Sequence, residues 1–391
     1  MSQQRVIITG AGPVGLSVAA HMAEAGLPAI VLEEEPALPT NLRASTFHPP
    51  TLDMLDRFGA TEKLIAQGLI APTFQYRDRV AGKLGEFDFG ELADVCRHPY
   101  RLQCEQYKLN FALLDYLKGQ SGVEVRFGAG VADVEQSADG VSVRLTNGEK
   151  IEGGWLVGAD GARSAVRRSL GIPFEGFTWP EAFLVVSTAF PFEDHFEGLC
   201  WVNYFADPDE WFFLLRAPDF WRVMFPTAQD EPESEIFDPA KIQRRLNRVL
   251  PQSEPYEIAH TTLYRVHQRV AERYREGRAF LAGDAAHINN PLGGMGMNGG
   301  IHDAYNLAGK LVRVMKGEAG TELLDAYEAE RRPVALAYVN EITIRNKRNL
   351  ETKDAVEQAA FRTMLRETMA DLAKRRAFLL RSSMLASLGV E

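Results

Sequence analysis

The chain has 391 residues, 46% of them apolar and 25% charged, with a formal net charge of -10 at pH 7. It is too long for one simple core and apolar enough to fill two. Without a long basic tract it lacks the extended phosphate-binding surface that would make nucleic acid an expected partner.

The first residues run straight into the apolar stretch Val6–Ile8, with no room for a basic start and an apolar export segment of ~7–15 residues. No window reaches the ~18 consecutive apolar residues of a membrane span, so neither export nor stable membrane association is expected. Cys96, Cys104 and Cys200 lack CxxC spacing and are odd in number, which argues against a disulfide framework or a zinc site and for a reducing cytoplasm.

In chain order, a strand over 5–9, a glycine turn, a helix over 14–25 and a strand over 29–33 form a βαβ opening, with Gly26 and Pro28 stopping the helix. Helices over 50–58 and 60–67 follow, then a β-rich piece through Phe89 and a long helix over 104–118. Strands are predicted over 123–127, 130–136, 141–145 and 155–157, with Asp139-Gly140 and Asn147-Gly148 as turn dipeptides. Aromatic and aliphatic runs at 183–188, 199–205, 211–215 and 221–225 predict a second sheet within 173–270.

The acidic stretch 230–235 reads as a solvated linker to a helix over 239–250. Residues 283–300 are glycine-rich and lead into helices over 301–316 and 323–346. The last ~40 residues are charged and amphipathic, with Lys374, Arg375 and Arg376 ahead of Phe378–Leu380. A helix packed on its own body or on a partner subunit is favoured there over contact with a membrane surface.

Three separated segments carry the chemistry. Gly10, Gly12 and Gly15, with Pro13 and Val14 between them, lie where a strand turns into a helix. Glycine serves there for the tight turn, for close approach of a pyrophosphate and for helix–strand packing. Glu33, followed by Glu34, ends the second strand, where a carboxylate accepts hydrogen bonds from adenosine ribose hydroxyls and disfavours a 2′-phosphate. This points to FAD or NAD at the site rather than NADP.

Gly283 and Asp284 end the apolar run 279–282, which puts the aspartate at a strand end facing a cleft. From Pro291 the sequence carries Gly294, Gly296, Met297 and Asn298 at the start of a helix whose amides suit the N1–C2 edge of an isoalloxazine. Between these segments, Asp160 and Gly161 precede Arg163, Ser164 and Arg167, and Asp160 also qualifies as the N-cap of a helix over 163–170.

The three segments in this order resemble the FAD-dependent aromatic hydroxylases, the single-component flavoprotein monooxygenases of the p-hydroxybenzoate hydroxylase type. The middle segment matches that family's GADGxxSxVR pattern through Arg167. The resemblance implies that Asp284 hydrogen-bonds the ribityl chain of a tightly but non-covalently held FAD. It also implies that Asp160, Gly161 and Arg163 serve FAD and NAD(P)H, and that Arg43 contacts the cofactors. Either Gln103 or Gln106 touches FAD, with Gln103 favoured, and 324–333 is a structural helix.

The implied activity is hydroxylation of a phenolic or related aromatic or heteroaromatic substrate, with NADH or NADPH as transient co-substrate and O2 as oxidant, through a flavin C(4a)-hydroperoxide. That chemistry belongs to the cofactor, which accounts for the lack of a Ser-His-Asp, HExxH or paired-carboxylate signature. No second GxGxxG stands apart to serve a nicotinamide cofactor, as expected if the nicotinamide docks only transiently.

Trp201, Tyr204, Trp211, Phe212 and Trp221 are candidates for the substrate wall, with Pro291 near the ring and Arg216 or Arg222 for a substrate carboxylate. A reductase or halogenase on the same fold is the alternative. The expected architecture is α/β: a Rossmann-like FAD-binding domain over 1–172 with a return segment over 271–340, an interleaved β-sheet substrate domain over 173–270, and a helical region over 341–391. A monomer or homodimer is expected, with no metal.

Overall fold

In the computed structural model, residues 5–42, 44–207, 209–337 and 343–391 are described. The apolar run Val6–Thr9 is flanked on both sides by parallel partners, Trp155–Gly158 and Ala29–Leu32. All of these strand residues are buried, as continuous apolar runs in a helix-covered parallel sheet should be. The six-stranded sheet runs, in spatial order, Arg275–Glu276, Ala279–Leu281, Trp155–Gly158, Val6–Thr9, Ala29–Leu32, Val123–Arg126.

That order explains the spacing of the motifs. Ala279–Leu281, Trp155–Gly158, Val6–Thr9 and Ala29–Leu32 are adjacent and parallel. Asp284, Asp160, Gly10 and Glu33, hundreds of residues apart in part, therefore leave the carboxyl edge of one sheet side by side, where ligands of open α/β sheets bind.

The second sheet has eight strands: His287–Ile288, His260–Ala271, Phe174–Thr188, Trp221–Pro226, Phe212–Arg216, Val202–Ala206, Thr73–Asp78 and Gly82–Asp88. Sequence order had placed the β-rich piece before Phe89 with the nucleotide-binding part. It pairs here instead, Gln75–Asp78 running parallel to Asn203–Ala206. The strand expected from 183 starts at Phe174 and pairs with His260–Ala271 past an irregularity between Thr178 and Ala182.

Helix bounds shift where caps decide them. The long helix is Gln106–Lys118, because Glu105 is extended. The helix expected near 298–301 begins at Met295, and the one expected over 323–346 is a turn, Thr321–Leu324, then Asp325–Ala337 and, past residues outside the described set, Thr343–Glu351.

The acidic linker is not simply solvated. Glu231 has a side chain only 3% exposed, paired with Lys241 Nζ at 2.5 Å and Arg245 Nη2 at 3.5 Å. These pairs fasten the stretch to the helix Pro239–Val249.

The C-terminal helices Ala355–Ala370 and Leu372–Ser382 pack on the chain's own body. They cover Gly82–Asp88, the outermost strand of the second sheet, and so remove an exposed edge region. Phe378 stacks on Phe87 with centroids 4.4 Å apart, and Phe361 meets Tyr76 edge-on at 5.5 Å. Two of the charges noted in sequence engage the same body, Arg375 with Glu91 at 2.6 Å and Arg376 with Asp94 at 2.7 Å, and Arg362 adds a pair with Asp78 at 2.6 Å. Among the described residues no helix is long and apolar enough to cross a membrane.

Candidate functional site

A cleft of about 860 Å³ lies between the carboxyl edge of the first sheet and one face of the second. Its first wall is largely backbone. Gly10 has φ +91°, and a Cβ there would lie 2.4 Å from the Ala159 carbonyl oxygen; at Gly15 it would lie 2.0 Å from that of Gly10. Gly12 differs, since a Cβ on it meets nothing within 4 Å and the residue borders the cleft. Gly10 and Gly15 thus serve the turn and the helix–strand packing, whereas Gly12 leaves room for a ligand, as the fingerprint requires.

The helix Pro13–Glu24 starts at this turn with no side-chain cap, so its dipole end faces the cleft. Glu33 and Glu34 border the cleft too. Glu33 Oε2 accepts from the Ala11 amide at 2.6 Å and Oε1 from the Glu35 amide at 3.0 Å, which fixes the carboxylate and leaves each oxygen a lone pair for a hydroxyl.

Asp160 accepts from the Val166 amide through Oδ2 at 3.1 Å, while Oδ1 is buried without a partner. Burial, partly offset by hydrogen bonds from Ser164 and Val166, raises its pKa. The N-cap expected at Asp160 is Ser164, whose Oγ accepts from the Arg167 amide at 2.9 Å ahead of the short helix Ala165–Ser169. Asp160 binds the next turn and retains one oxygen for a ligand donor. Gly161 and Arg163 border the cleft; Arg167 instead packs over the Phe174 ring at 3.8 Å and donates to the Ala285 carbonyl at 2.8 Å.

The third segment is set by buried chemistry behind it. Gly283 has φ +59°, and a Cβ would press on Val14 at 2.7 Å. Its amide donates to Asp303 Oδ2 at 3.2 Å; the same oxygen is 2.7 Å from His287 Nε2, and Oδ1 accepts from Arg331 Nε at 2.8 Å. Burial opposes ionisation of Asp303, yet His287 and Arg331 outweigh it and pull the carboxyl to about 2. His287 is therefore buried structure. Asp284 projects from this anchored turn and borders the cleft.

Pro291, Gly293, Gly294, Met295, Gly296 and Met297 form the opposite lip, with Gly294 (φ +66°) as the uncapped start of the helix Met295–Met315. Asn298, expected at the cofactor, is fully buried and does not border the cleft. It donates to the carbonyls of Thr46 at 2.9 Å and Gly294 at 2.6 Å and accepts from the His48 amide at 2.9 Å, so it clamps the loop from behind.

Gln103, favoured over Gln106 in the sequence, keeps its Nε2 buried without a partner. It is buried, accepts from Thr46 Oγ1 at 2.8 Å and lies outside the cleft lining, which includes Gln106. Arg43 lies outside the described residues.

The second wall is made of side chains in strict alternation. Across three antiparallel strands the register sets Val202 beside Leu215 beside Arg222, and Tyr204 beside Phe213 beside Met224, with Val185 next to Met224. All seven border the cleft. The period of two sends the neighbouring residues to the other face, and this corrects three of the aromatic candidates. Phe212 stacks on Phe205 at 4.3 Å, Trp221 is wholly buried beside Phe192, and Trp201 lies against Trp221 at 6.0 Å; none borders the cleft. Trp211 is core, edge-on to Phe183 at 5.4 Å. Tyr204, Arg222 and Pro291 remain; Val185, Val202, Phe213, Leu215, Met224 and Tyr264 were missed, although phasing the strands would have found most of them. Arg222 Nη1 donates to Ser45 Oγ at 3.2 Å.

The family described as "FAD binding domain" matches residues 3–342. The chain is 33% identical over 383 residues to a para-nitrophenol 4-monooxygenase of Pseudomonas sp. (strain WBC-3), covering 96% of this chain and 94% of that one. It is 37% identical over 352 residues to a 6-hydroxy-3-succinoylpyridine 3-monooxygenase of Pseudomonas putida, covering 89% of each. The crystal structure of a p-nitrophenol 4-monooxygenase from Pseudomonas putida superposes with a TM-score of 0.90 at 32% identity, over 97% of each chain.

Proposed function

Because the chain belongs to the FAD-binding family of flavin-dependent aromatic hydroxylases, we propose that it uses NADH or NADPH and O2 to hydroxylate a small phenolic or hydroxypyridine ring. The observation that carries this reading is one cleft whose first wall is a backbone cradle and whose second is an apolar sheet face with few polar groups.

The residues fit FAD. Gly12 leaves the space a pyrophosphate needs, and the uncapped helix start at Pro13 faces it. Glu33, with Glu34 beside it, suits the adenosine ribose, Asp284 the ribityl chain, and the amides of Gly294–Met297 the pyrimidine edge of the ring system. Asp160, Gly161 and Arg163 border the same cleft, and the buried Asp160 Oδ1 has no partner within the protein. When bound, FAD supplies acceptance of electrons from the nicotinamide and activation of O2.

The protein's own share is positioning and exclusion of water. Val185, Val202, Leu215 and Met224 make the substrate wall apolar, Tyr204 and Phe213 offer ring faces, and Pro291 with Gly293 bounds the lip. No residue is asked to break or form a covalent bond.

The test is oxidation of NADH and NADPH by the FAD-loaded protein across nitrophenols, hydroxybenzoates and hydroxypyridines, with product masses recorded. Stimulated oxidation with a product heavier by one oxygen is expected. Reduction of a substrate without oxygen uptake, or FAD that no nicotinamide reduces, would overturn the reading.

A further inference from the structure

Arg101 is a charge that the cofactor cradle does not account for. It opens the short strand Arg101–Gln103, is 2% exposed and borders the cleft. Its Nη2 donates to the Ser382 carbonyl at 3.2 Å, and its guanidinium lies over the rings of Phe74 at 4.7 Å and Phe89 at 5.1 Å. Nε is buried without a hydrogen-bond partner, and among the described residues Arg101 pairs with no carboxylate.

A guanidinium does not release its proton, so in this place it is a buried cation. His48 and Tyr76, two titratable groups that feel it, are held in their neutral forms. Burial first, then the Arg101 charge, holds His48 well below the ordinary histidine range, and burial raises the Tyr76 phenol despite Arg101. Ser382 is the last residue of the helix Leu372–Ser382, so its carbonyl contributes only the partial negative charge of a helix end. Two ring faces and one carbonyl solvate a cation incompletely, and a charge left so is costly unless an anion joins it.

The surroundings place Arg101 at the substrate end. Tyr76 stacks on the cleft residue Tyr204 at 5.2 Å, and His48 holds the Gly293 carbonyl of the lip at 2.8 Å. Arg101 therefore lies between the sheet wall and the glycine lip, and the C-terminal helix braces it from behind.

We propose that Arg101 is the anion-binding residue of the cleft and receives the ionised oxygen of an aromatic substrate, phenolate or carboxylate. This rests on the hydroxylase reading and narrows it to substrates bound as aromatic anions. It also gives the C-terminal helix a task at the site, since Ser382 orients the guanidinium.

The test is equilibrium dialysis of the FAD-loaded protein against ionised 4-nitrophenol, 4-hydroxybenzoate and the uncharged ether 4-nitroanisole, with FAD content checked for each variant. The wild type should favour at least one anion over the ether by about 100-fold, and Arg101→Met should remove that preference while holding the ether within about threefold. Arg101→Lys should restore part of it, because the charge returns without the fork.

Three results would overturn the proposal: a wild type indifferent to charge or binding neither anion, an Arg101→Met variant weakened equally toward all three ligands, or a preference that disappears with Arg222→Met and survives Arg101→Met. Nicotinamide oxidation separates this from the reaction itself. Anion binding through Arg101 without nicotinamide oxidation would sink the hydroxylase alone, and hydroxylation undisturbed in Arg101→Met would sink the anion site alone.

Discussion

The two walls of the cleft are built from different material. On the first sheet the wall is main chain: at Gly10 and Gly15 a methyl group would run into a neighbouring carbonyl, and at Gly283 into Val14. On the second sheet the wall is a ladder of side chains, Val202–Leu215–Arg222 and Tyr204–Phe213–Met224, hung on a backbone that any residue could occupy. A backbone wall ties ligand binding to the fold itself, whereas a side-chain wall lets the ligand change while the fold stays. Substitutions on the two sides should therefore fail in different ways.

The severest should come from behind the first wall. Asp303→Ala leaves Arg331 buried and unpaired and frees the Gly283 amide, so we expect a loss of about 3–5 kcal/mol, read as a lower denaturant midpoint, together with loss of FAD. The same carboxylate sets an acid limit. Its folded pKa, about 2, lies below the ordinary value of 3.8. Its contribution is therefore complete above about 4 and is lost as pH falls toward 2. Asp303→Asn should flatten that acid limb in a stability–pH curve; an unchanged limb would show that other carboxylates set it.

Next in size is a contrast within the glycine turn. Gly15→Ala drives a methyl into the Gly10 carbonyl and should lower both thermal stability and FAD affinity. At Gly12 a Cβ has no protein atom within 4 Å, so Gly12→Val should fold with unchanged melting temperature, yet lose FAD affinity by at least about tenfold, or about 1.4 kcal/mol. Identical behaviour of the two would refute the division of labour between them. Asp284→Ala should resemble Gly12→Val: an intact fold with FAD weakened about 10- to 100-fold, the worth of a charged hydrogen bond, measured by retention of flavin on dialysis.

The same contrast explains what could be read in the sequence. The backbone wall is legible because its demands are local. Three glycines at fixed spacing and an acid at the next strand end define the turn whatever surrounds it, and Gly283 and Asp284 end an apolar run as a strand end should. Where the site depends on register, legibility fails. Gln103 and Gln106 differ by one helical turn's worth of chain, and only the extended Glu105 shows that the helix starts at Gln106, putting Gln106 at the cleft and Gln103 against Thr46.

The sheet wall fails for the same reason in its strict form. Large aromatic residues alternate along both faces of Val202–Ala206 and Phe212–Arg216, so size alone selected Phe212 and Trp221, whose rings fill the far core with Phe205 and Phe192. Strand phase was the missing quantity. Nor did any local signal show that Thr73–Asp78 joins this sheet, because its partner Val202–Ala206 is more than a hundred residues later.

The smallest effect, on the second wall, is the sharpest test of that phase. Phe213 borders the cleft and packs on Tyr204 at 4.7 Å, while Trp201, its rival in the sequence, packs on Trp221 away from the cleft. Phe213→Ala should raise KM for the aromatic substrate about tenfold, in keeping with 1–3 kcal/mol for lost apolar pocket contact. FAD content and substrate-free nicotinamide oxidation should stay unchanged, because Phe213 belongs to the sheet strand Phe212–Arg216 and not to the glycine turn or the Gly294 loop. Trp201→Phe preserves an aromatic core contact on the far side and should leave KM within about twofold, since a conservative core exchange costs stability rather than a substrate contact. If Trp201→Phe were instead the variant with the raised KM, the alternation assigned to Val202–Ala206 would be inverted, and every residue on that ladder, Arg222 included, would face the core.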